Sequence, residues 1–368
     1  MLEGITLELD QFLTTCASEI GVKKVSTNSF IISDGTFLTY LCLTDCETNV
    51  SQSPKINILT EEKMRIFTVN GNDAGQRLDK FITKLMPRLP KSMLYKGLRK
   101  NCVRINGKHV KDGSAAVLEG DEIALYFRDE FFERGNEFKY TKPELDIVYE
   151  DENILIINKA VGVVCHADER GTVSTLVDMV QSYLYDSGEY VPEIEQTFKP
   201  ALCNRLDRNT GGLVIAAKNA AALRQMNAHL RAGEVRKLYM AVVEGYPDES
   251  GTLCGYASRS GKVTSVSNVK NGAAKAVSLS YNVKARRNGH SLAEIELHTG
   301  RTHQIRAQFA AAGFPLAGDT KYGGHGGTFR QALWSVEMDF MFNGTDMLLK
   351  KLDGRRMRVR APFEDRFE

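Results

Sequence analysis

Residues 201–217 read ALCNRLDRNTGGLVIAA, a carboxylate (Asp207) set between Arg205 and Arg208, followed by Gly211 and Gly212 and an apolar run from Leu213 to Ala217. The run has the length and composition of a buried strand. Adjacent glycines ahead of it suit a loop whose backbone approaches a ligand closely. Taken alone, Asp207 reads as an ordinary loop or capping residue, so its meaning depends on what surrounds it.

Outward from this segment, strand-like stretches stand at Asp146–Val148, Ile154–Ile157, Leu238–Val243, Val277–Val283 and Ala293–His298, and helical spacing occupies Thr175–Tyr185, Ala220–Arg231 and His303–Ala312. Strands and helices mixed without strict alternation predict an α+β domain with a mixed, largely antiparallel sheet flanked by helices. The segment LHTGRTHQIRAQFAAAGFPLAGDTKYGG, Leu297–Gly324, gathers Arg301, His303, Gln304 and Arg306, four side chains able to form directed hydrogen bonds. A helix beginning at His303 would turn its amino terminus toward anions and bury Ile305, Phe309 and Ala310–Ala312. In VRKLYMAVVEG, residues 235–245, strand alternation puts Lys237 and Tyr239 on one face. Trp334 and the tail RMRVRAPFEDRF read as closing strands, with Trp334 at an ordinary sheet edge.

Ahead of this domain the charge distribution changes sharply. Residues 1–63 are acidic, whereas Arg77, Lys80, Lys84, Arg88, Lys91, Lys96, Arg99, Lys100, Arg104, Lys108 and Lys111 dominate residues 74–127. A compact basic unit is the footprint of a polyanion-binding surface. Leu78, Phe81, Ile82 and Leu85 repeat at helical spacing, a second short helix fits Lys91–Lys100, and strands are expected at Val103–Ile105, before an Asn106-Gly107 turn, and at Glu122–Phe127. Four segments result: residues 1–63, an extension of unreadable role with a helix over Leu9–Ile20 and a hairpin of Ser29–Ser33 and Thr36–Leu43; residues 64–128, the basic module; residues 129–144, a charged linker ending near Pro143; and residues 145–368, the larger domain.

The chain has 368 residues, is 42% hydrophobic and carries a formal net charge of +2. Such a chain is globular and long enough for more than one core. It holds no apolar run of membrane-spanning length and its amino terminus is acidic, so the expectation is a cytoplasmic protein without membrane attachment; a monomer is also expected. Seven scattered cysteines without a CxxC pair give neither a disulfide framework nor a zinc site; Cys42 and Cys46 alone have metal-like spacing. No Walker loop, HExxH, GxSxG or GxGxxG is present.

The stretch Arg77–Ile123, with RLDKFI and VRINGKHVKDGSAAVLEGDEI, resembles the RNA-binding domain named after small-subunit ribosomal protein four, the S-four domain. The resemblance implies that Lys91, Arg99, Lys100, Arg104 and Lys108 lie along RNA phosphates. The blocks YEDENILIINKAVGVVCH, NRLDRNTGGLVIAAK, KLYMAVVEG and HTGRTHQIRAQFAAAGFPLAGDTKYG, in this order, resemble the RluA-type pseudouridine synthase family. That resemblance implies isomerisation of uridine in structured RNA, large-subunit ribosomal RNA or a ribosome-assembly intermediate, with no metal or organic cofactor required.

Residue by residue, the family pattern implies that Asp207 is the nucleophile, Tyr239 the aromatic partner of the target base, and Arg301 the cation paired with the carboxylate. It also implies that Arg205 fills the gap left by the extruded nucleotide. His303, Gln304 and Arg306, clustered in one polar segment, are expected as further RNA contacts. Asn204 stands where relatives carry histidine, Gly211 where they carry serine, and Ala160 where they carry proline. Asn204 keeps a hydrogen-bonding capacity, and Gly211 is expected mainly to add flexibility. Two other readings are a non-catalytic RNA-binding or ribosome-assembly factor and a carboxylate-dependent glycosidase; the latter lacks an identifiable second acid.

Overall fold

In a computed structural model of the chain, the described residues are 21–26, 29–33, 38–42, 58–59, 64–132, 138–167, 174–261, 263–327, 330–344 and 348–367. Two compact units divide at Glu137 and Phe138. In the first, β1 (Gly21–Ser26), β2 (Ser29–Ser33), β3 (Leu38–Cys42) and β4 (Ile58–Leu59) form an antiparallel sheet in that order. The expected hairpin is the β2–β3 pair, with Ser29 opposite Cys42 and Ser33 opposite Leu38. Its turn and the helix expected over Leu9–Ile20 lie outside the described residues.

The same unit holds β5 (Met64–Thr68), α1 (Leu78–Leu85), α2 (Lys91–Arg99), β6 (Val103–Ile105), β7 (Lys108–His109) and β8 (Glu122–Tyr126), with sheet order β5-β8-β6-β7. Leu78, Phe81, Ile82 and Leu85 of α1 are buried against Leu94, Leu98, Val103, Ile123 and Leu125. The two-residue turn joining β6 to β7 needs positive φ at both positions; Asn106 (φ 50°) and Gly107 (φ 74°) supply it. The segment 129–144 contributes to both cores. Phe131 and Phe132 pack in the first unit, whereas Phe138 packs beside Tyr185 and Tyr190 in the second.

The second unit contains β9 (Ile147–Glu150), β10 (Ile154–Lys159), α3 (Leu176–Asp186), β11 (Ala201–Leu202), β12 (Gly211–Ala217), α4 (Ala220–Ala232), β13 (Val235–Glu244), β14 (Ser250–Ser260), β15 (Val263–Ser267), β16 (Lys275–Arg287), β17 (His290–Leu297), α5 (Gln304–Ala311), β18 (Leu333–Phe340) and β19 (Arg356–Arg358). One sheet runs β15-β14-β16-β17-β13-β18-β12-β10-β9, with β11 beside β12 and β19 beside β18. Its pairings are antiparallel except β12 with β18, which is parallel, so the sheet is mixed and largely antiparallel as expected.

Period-two alternation divides the apolar side chains between two faces. Leu155, Ile157, Val214 and Ala216 pack under α3 and α5, against Val180, Ile305 and Phe309. Ile154, Ile156, Leu213 and Ile215 pack under α4, against Ala222 and Met226. Fully burying a side chain such as Phe309 or Ile305 contributes about 1.5–3 kcal/mol, which ties α5 to the sheet and fixes the polar residues that flank it. Local signals set the helix limits. Thr175 and Asp178 form a capping box at α3. Asn219 accepts from the Ala222 amide at 2.8 Å to start α4, which ends at Gly233 with φ 77°.

Candidate active site

The loop carrying Asp207, between β11 and β12, is held from several directions. Asn204 Oδ1 accepts from the Ile215 amide at 2.8 Å, tying the loop's entrance to β12. The Leu206 amide donates to Cys165 Sγ at 3.3 Å, and the thiol donates back to the Leu206 carbonyl at 3.3 Å. Lys159, 1% exposed, donates from Nζ to the carbonyls of Ala160 (2.9 Å), Val163 (2.9 Å) and Arg208 (3.3 Å). Burial lowers this ammonium to about 8. Gln331 Nε2 donates to Thr210 Oγ1 at 2.6 Å, with both residues buried. A carboxylate on so constrained a loop keeps its orientation without further ordering.

Gly211 and Gly212 serve packing and not, as expected, ligand approach or flexibility. A Cβ on Gly211 would overlap the ring of Trp334, and one on Gly212, whose φ is 104°, would overlap the Ser335 backbone across the parallel β12–β18 pairing. Trp334 is correspondingly not at a sheet edge, because β18 lies between β13 and β12 and the residue is 9% exposed.

Asp207 faces Arg306, whose Nη1 donates to its Oδ2 at 2.9 Å. Arg306 also donates through Nε and Nη2 to both oxygens of Asp319 (2.6 and 2.8 Å), which is 2% exposed, and its guanidinium lies 4.8 Å from the Tyr322 ring centre. The pairing expected of Arg301 is therefore made by Arg306. Arg301 is exposed at the cleft rim and its side chain has no ion pair among the described residues. The physical reason is position: Arg306 lies on α5 and turns inward with the buried face, whereas Arg301 precedes the helix on a loop.

His303 enters α5 with φ 55° and sets its Nε2 3.7 Å from Asp207 Oδ2. Its Nδ1 lies 2.8 Å from the Tyr322 hydroxyl, which also accepts from the Thr264 amide at 3.0 Å. Burial lowers the His303 pKa, favouring the neutral imidazole. If the phenol donates to Nδ1, the Nε2 proton points toward Asp207. Gln304, 2% exposed, is structural: its Oε1 accepts from Thr299 Oγ1 (2.8 Å) and the Arg301 amide (3.0 Å), and its Nε2 donates to Ser278 O (3.1 Å).

Asp207, Arg301, His303, Gln304 and Arg306 line a cleft of about 580 Å³ with Cys203, Arg205, Leu206, Thr210, Arg231, Lys237, Tyr239, His298 and Ile305. Tyr239, 6% exposed, forms part of its floor, and burial pushes its phenol up to about 12. It is therefore protonated at neutral pH, able to stack and donate but not to act as a standing phenolate. Among the described lining residues Asp207 is the single carboxylate, set against the cations Arg205, Arg231, Lys237, Arg301 and Arg306. In the first unit Lys91, Arg99, Lys100 and Lys108 are exposed, and Arg104 stands over the Tyr126 ring at 5.4 Å.

A family model for RNA pseudouridylate synthase matches residues 153–311, and one for the S-four domain matches residues 76–123. Over 256 residues the chain is 33% identical to the ribosomal large subunit pseudouridine synthase D of Pseudomonas aeruginosa, covering 68% of this chain and 74% of that one. The chain belongs to the RNA pseudouridylate synthase family. The Yersinia pestis protein of the same name is 32% identical over 258 residues, 70% of this chain and 76% of that one. Among solved structures, human RNA pseudouridylate synthase domain containing 4 is 18% identical with a TM-score of 0.47, over 59% of this chain and 88% of that one.

As an RNA pseudouridine synthase, an RluA-type isomerase with an S-four domain, the chain acts on RNA. Sequence reasoning missed Lys159, Cys165 and Asp319 around its cleft, because the features that give them meaning are burial and partners distant in the chain. Asp319 stood in the quoted GDTKYG block without an assigned role.

Proposed function

We propose that this synthase isomerises one or more uridines of large-subunit ribosomal RNA with Asp207 as the nucleophile. The observation that carries the reading is the lone carboxylate of the cleft, held by Arg306 on a loop braced by Lys159, Cys165 and Gln331, beside buried Tyr239. The relatives named for the large ribosomal subunit supply the substrate class.

Uracil is a poor leaving group, so cleavage of the N1–C1′ bond benefits from a carboxylate beside the sugar and from donors to the departing ring. Asp207 either bonds to C1′, a bond that breaks again as C5 attacks, or removes the proton at C2′ and returns it there as C5 adds; both routes join C5 to C1′, with C5 losing a proton and N1 gaining one. Tyr239 stacks on the ring and, as a neutral phenol, donates a hydrogen bond. Arg306 holds the carboxylate in place of the expected Arg301. Arg205, exposed at the rim, fills the stack vacated by the extruded base, an extrusion that costs a few kcal/mol. Exposed S-four cations provide sequence-independent phosphate contacts.

The test is a pseudouridine map of ribosomal RNA from cells lacking the gene, complemented with wild type or Asp207→Asn. Expected is the loss of modification at a defined large-subunit uridine, restored by wild type alone. Restoration by Asp207→Asn, or no lost position, would overturn the reading.

A further inference from the structure

Several cations on the sheet of the second unit are neutralised within the fold. Arg236 bonds Glu296 at 2.7 Å, Lys284 bonds Glu294 at 2.7 Å, and Arg356 bonds Asp339 at 2.7 Å. Lys237, next in sequence to Arg236, behaves differently. Strand alternation turns it to the opposite face, into the cleft with Tyr239. There it is partly buried, yet its ammonium has no hydrogen bond or ion pair among the described residues. Burial alone acts on it, lowering its pKa.

An ammonium withdrawn from water without a counter-charge is a cost to the folded state, and one that a ligand anion would relieve. The last turns of α4 supply a second cation to the same cleft. Asn227, Leu230 and Arg231 are spaced three and four residues apart, on one helical face, and all three line the cleft. Arg231 is exposed and likewise unpaired among the described residues. Lys237 is two residues from Tyr239, about 7 Å along an extended strand, within the span of one nucleotide from a base resting on that ring.

We propose that Lys237 and Arg231 form a phosphate subsite at the α4 end of the cleft, which grips the RNA backbone beside the nucleotide on Tyr239. The assignment rests on the cleft being the RNA site, and deepens it by naming where the backbone runs. A strand held there passes over α4 and leaves the cleft on that side, which fixes its direction relative to Asp207.

Binding of the full chain to an oligouridylate, measured by fluorescence anisotropy between 50 and 200 mM salt, tests the subsite without requiring turnover. Removing one phosphate contact from a single strand lowers the slope of log affinity against log salt by about 0.7. Lys237→Met should show that drop, so that its affinity deficit narrows ~2.6-fold over this salt range. Arg231→Gln should show a similar drop, and Lys237→Arg should keep the wild-type slope. Because the lone ammonium is a cost to folding, Lys237→Met should melt at or above the wild-type temperature. With the RNA identified by pseudouridine mapping, KM should rise while kcat holds.

An unchanged salt slope in Lys237→Met, a lowered melting temperature, or a fall in kcat at constant KM with a displaced pH profile would each overturn the subsite, the last by making Lys237 a proton carrier. The failure of Asp207 as nucleophile would leave these binding results intact, so the two readings fail separately.

Discussion

Replacing Arg306 with methionine removes the cation shared by Asp207 and Asp319 and leaves the Asp319 carboxylate, 2% exposed, without its bidentate partner. Removing one partner of a buried ion pair costs about 3–5 kcal/mol. In a domain of this size each kcal/mol moves the melting temperature by about 2–4 °C, so Arg306→Met should lower the second unit's transition by ~6–20 °C. Arg301→Gln removes an exposed side chain without an ion pair among the described residues. Its effect should stay within about 0.5 kcal/mol, or ~2 °C. Pairing Arg306→Met with Asp319→Leu should recover at least half of the lost stability, because the orphaned charge is removed as well. Thermal melts by circular dichroism and pseudouridine formation at a temperature where every variant is folded give the two readouts. Arg306→Met should lose activity there, since Asp207 has lost its donor. If Arg306→Met melts within ~2 °C of wild type, or if Arg301→Gln shows the larger destabilisation, the shared-cation account is wrong.

Two further outcomes follow from the loop that carries Asp207. Gly212→Ala meets both a φ of 104° and the Ser335 backbone, so it should unfold the domain or cost more than about 4 kcal/mol. The chain has one tryptophan, Trp334, so its fluorescence reports this junction directly, and a native urea midpoint and emission maximum in Gly212→Ala would contradict the packing described. Lys159 has a folded-state pKa of about 8 against an ordinary 10.5, so between these values the unfolded chain holds the extra proton and stability rises with pH. Below about pH 8 both states are charged and the burial penalty is fully expressed. Urea midpoints from pH 7.5 to 10.5 should therefore rise more steeply in wild type than in Lys159→Met; parallel curves would show that Lys159 titrates normally.

The sequence exposed those parts of the fold whose local pattern matches their final setting. Leu78, Phe81, Ile82 and Leu85 announced α1 because helical spacing coincides with one buried face, and Asn106-Gly107 announced a turn because few residues accept its φ values. Strands β14 and β15 were missed: SGTLCGYASRS carries two glycines and three serines and is largely exposed, so apolar alternation is weak. Strand β18, LWSVEMDF, is buried throughout yet contains Glu337 and Asp339. Those carboxylates are tolerated because Arg236, Arg356 and Arg358 reach them from β13 and β19, partners that no local window contains. The same limit explains Arg301 and Arg306. Both stand in one short motif, and only the helical phase of α5 and the distant Asp319 decide which arginine turns inward.

The central position of β18 also orders the birth of the enzyme. Strands β12 and β13, adjacent in sequence apart from α4, are separated in the sheet by a strand made roughly a hundred residues later, and Arg306 follows Asp207 by 99 residues. At about 5–20 residues per second, a growing chain presents the Asp207 carboxylate for several seconds before the Arg306 guanidinium emerges, and leaves two strand edges open until β18 slides between them. Competence thus arrives as a single late event, when the strand bearing Trp334 closes the sheet.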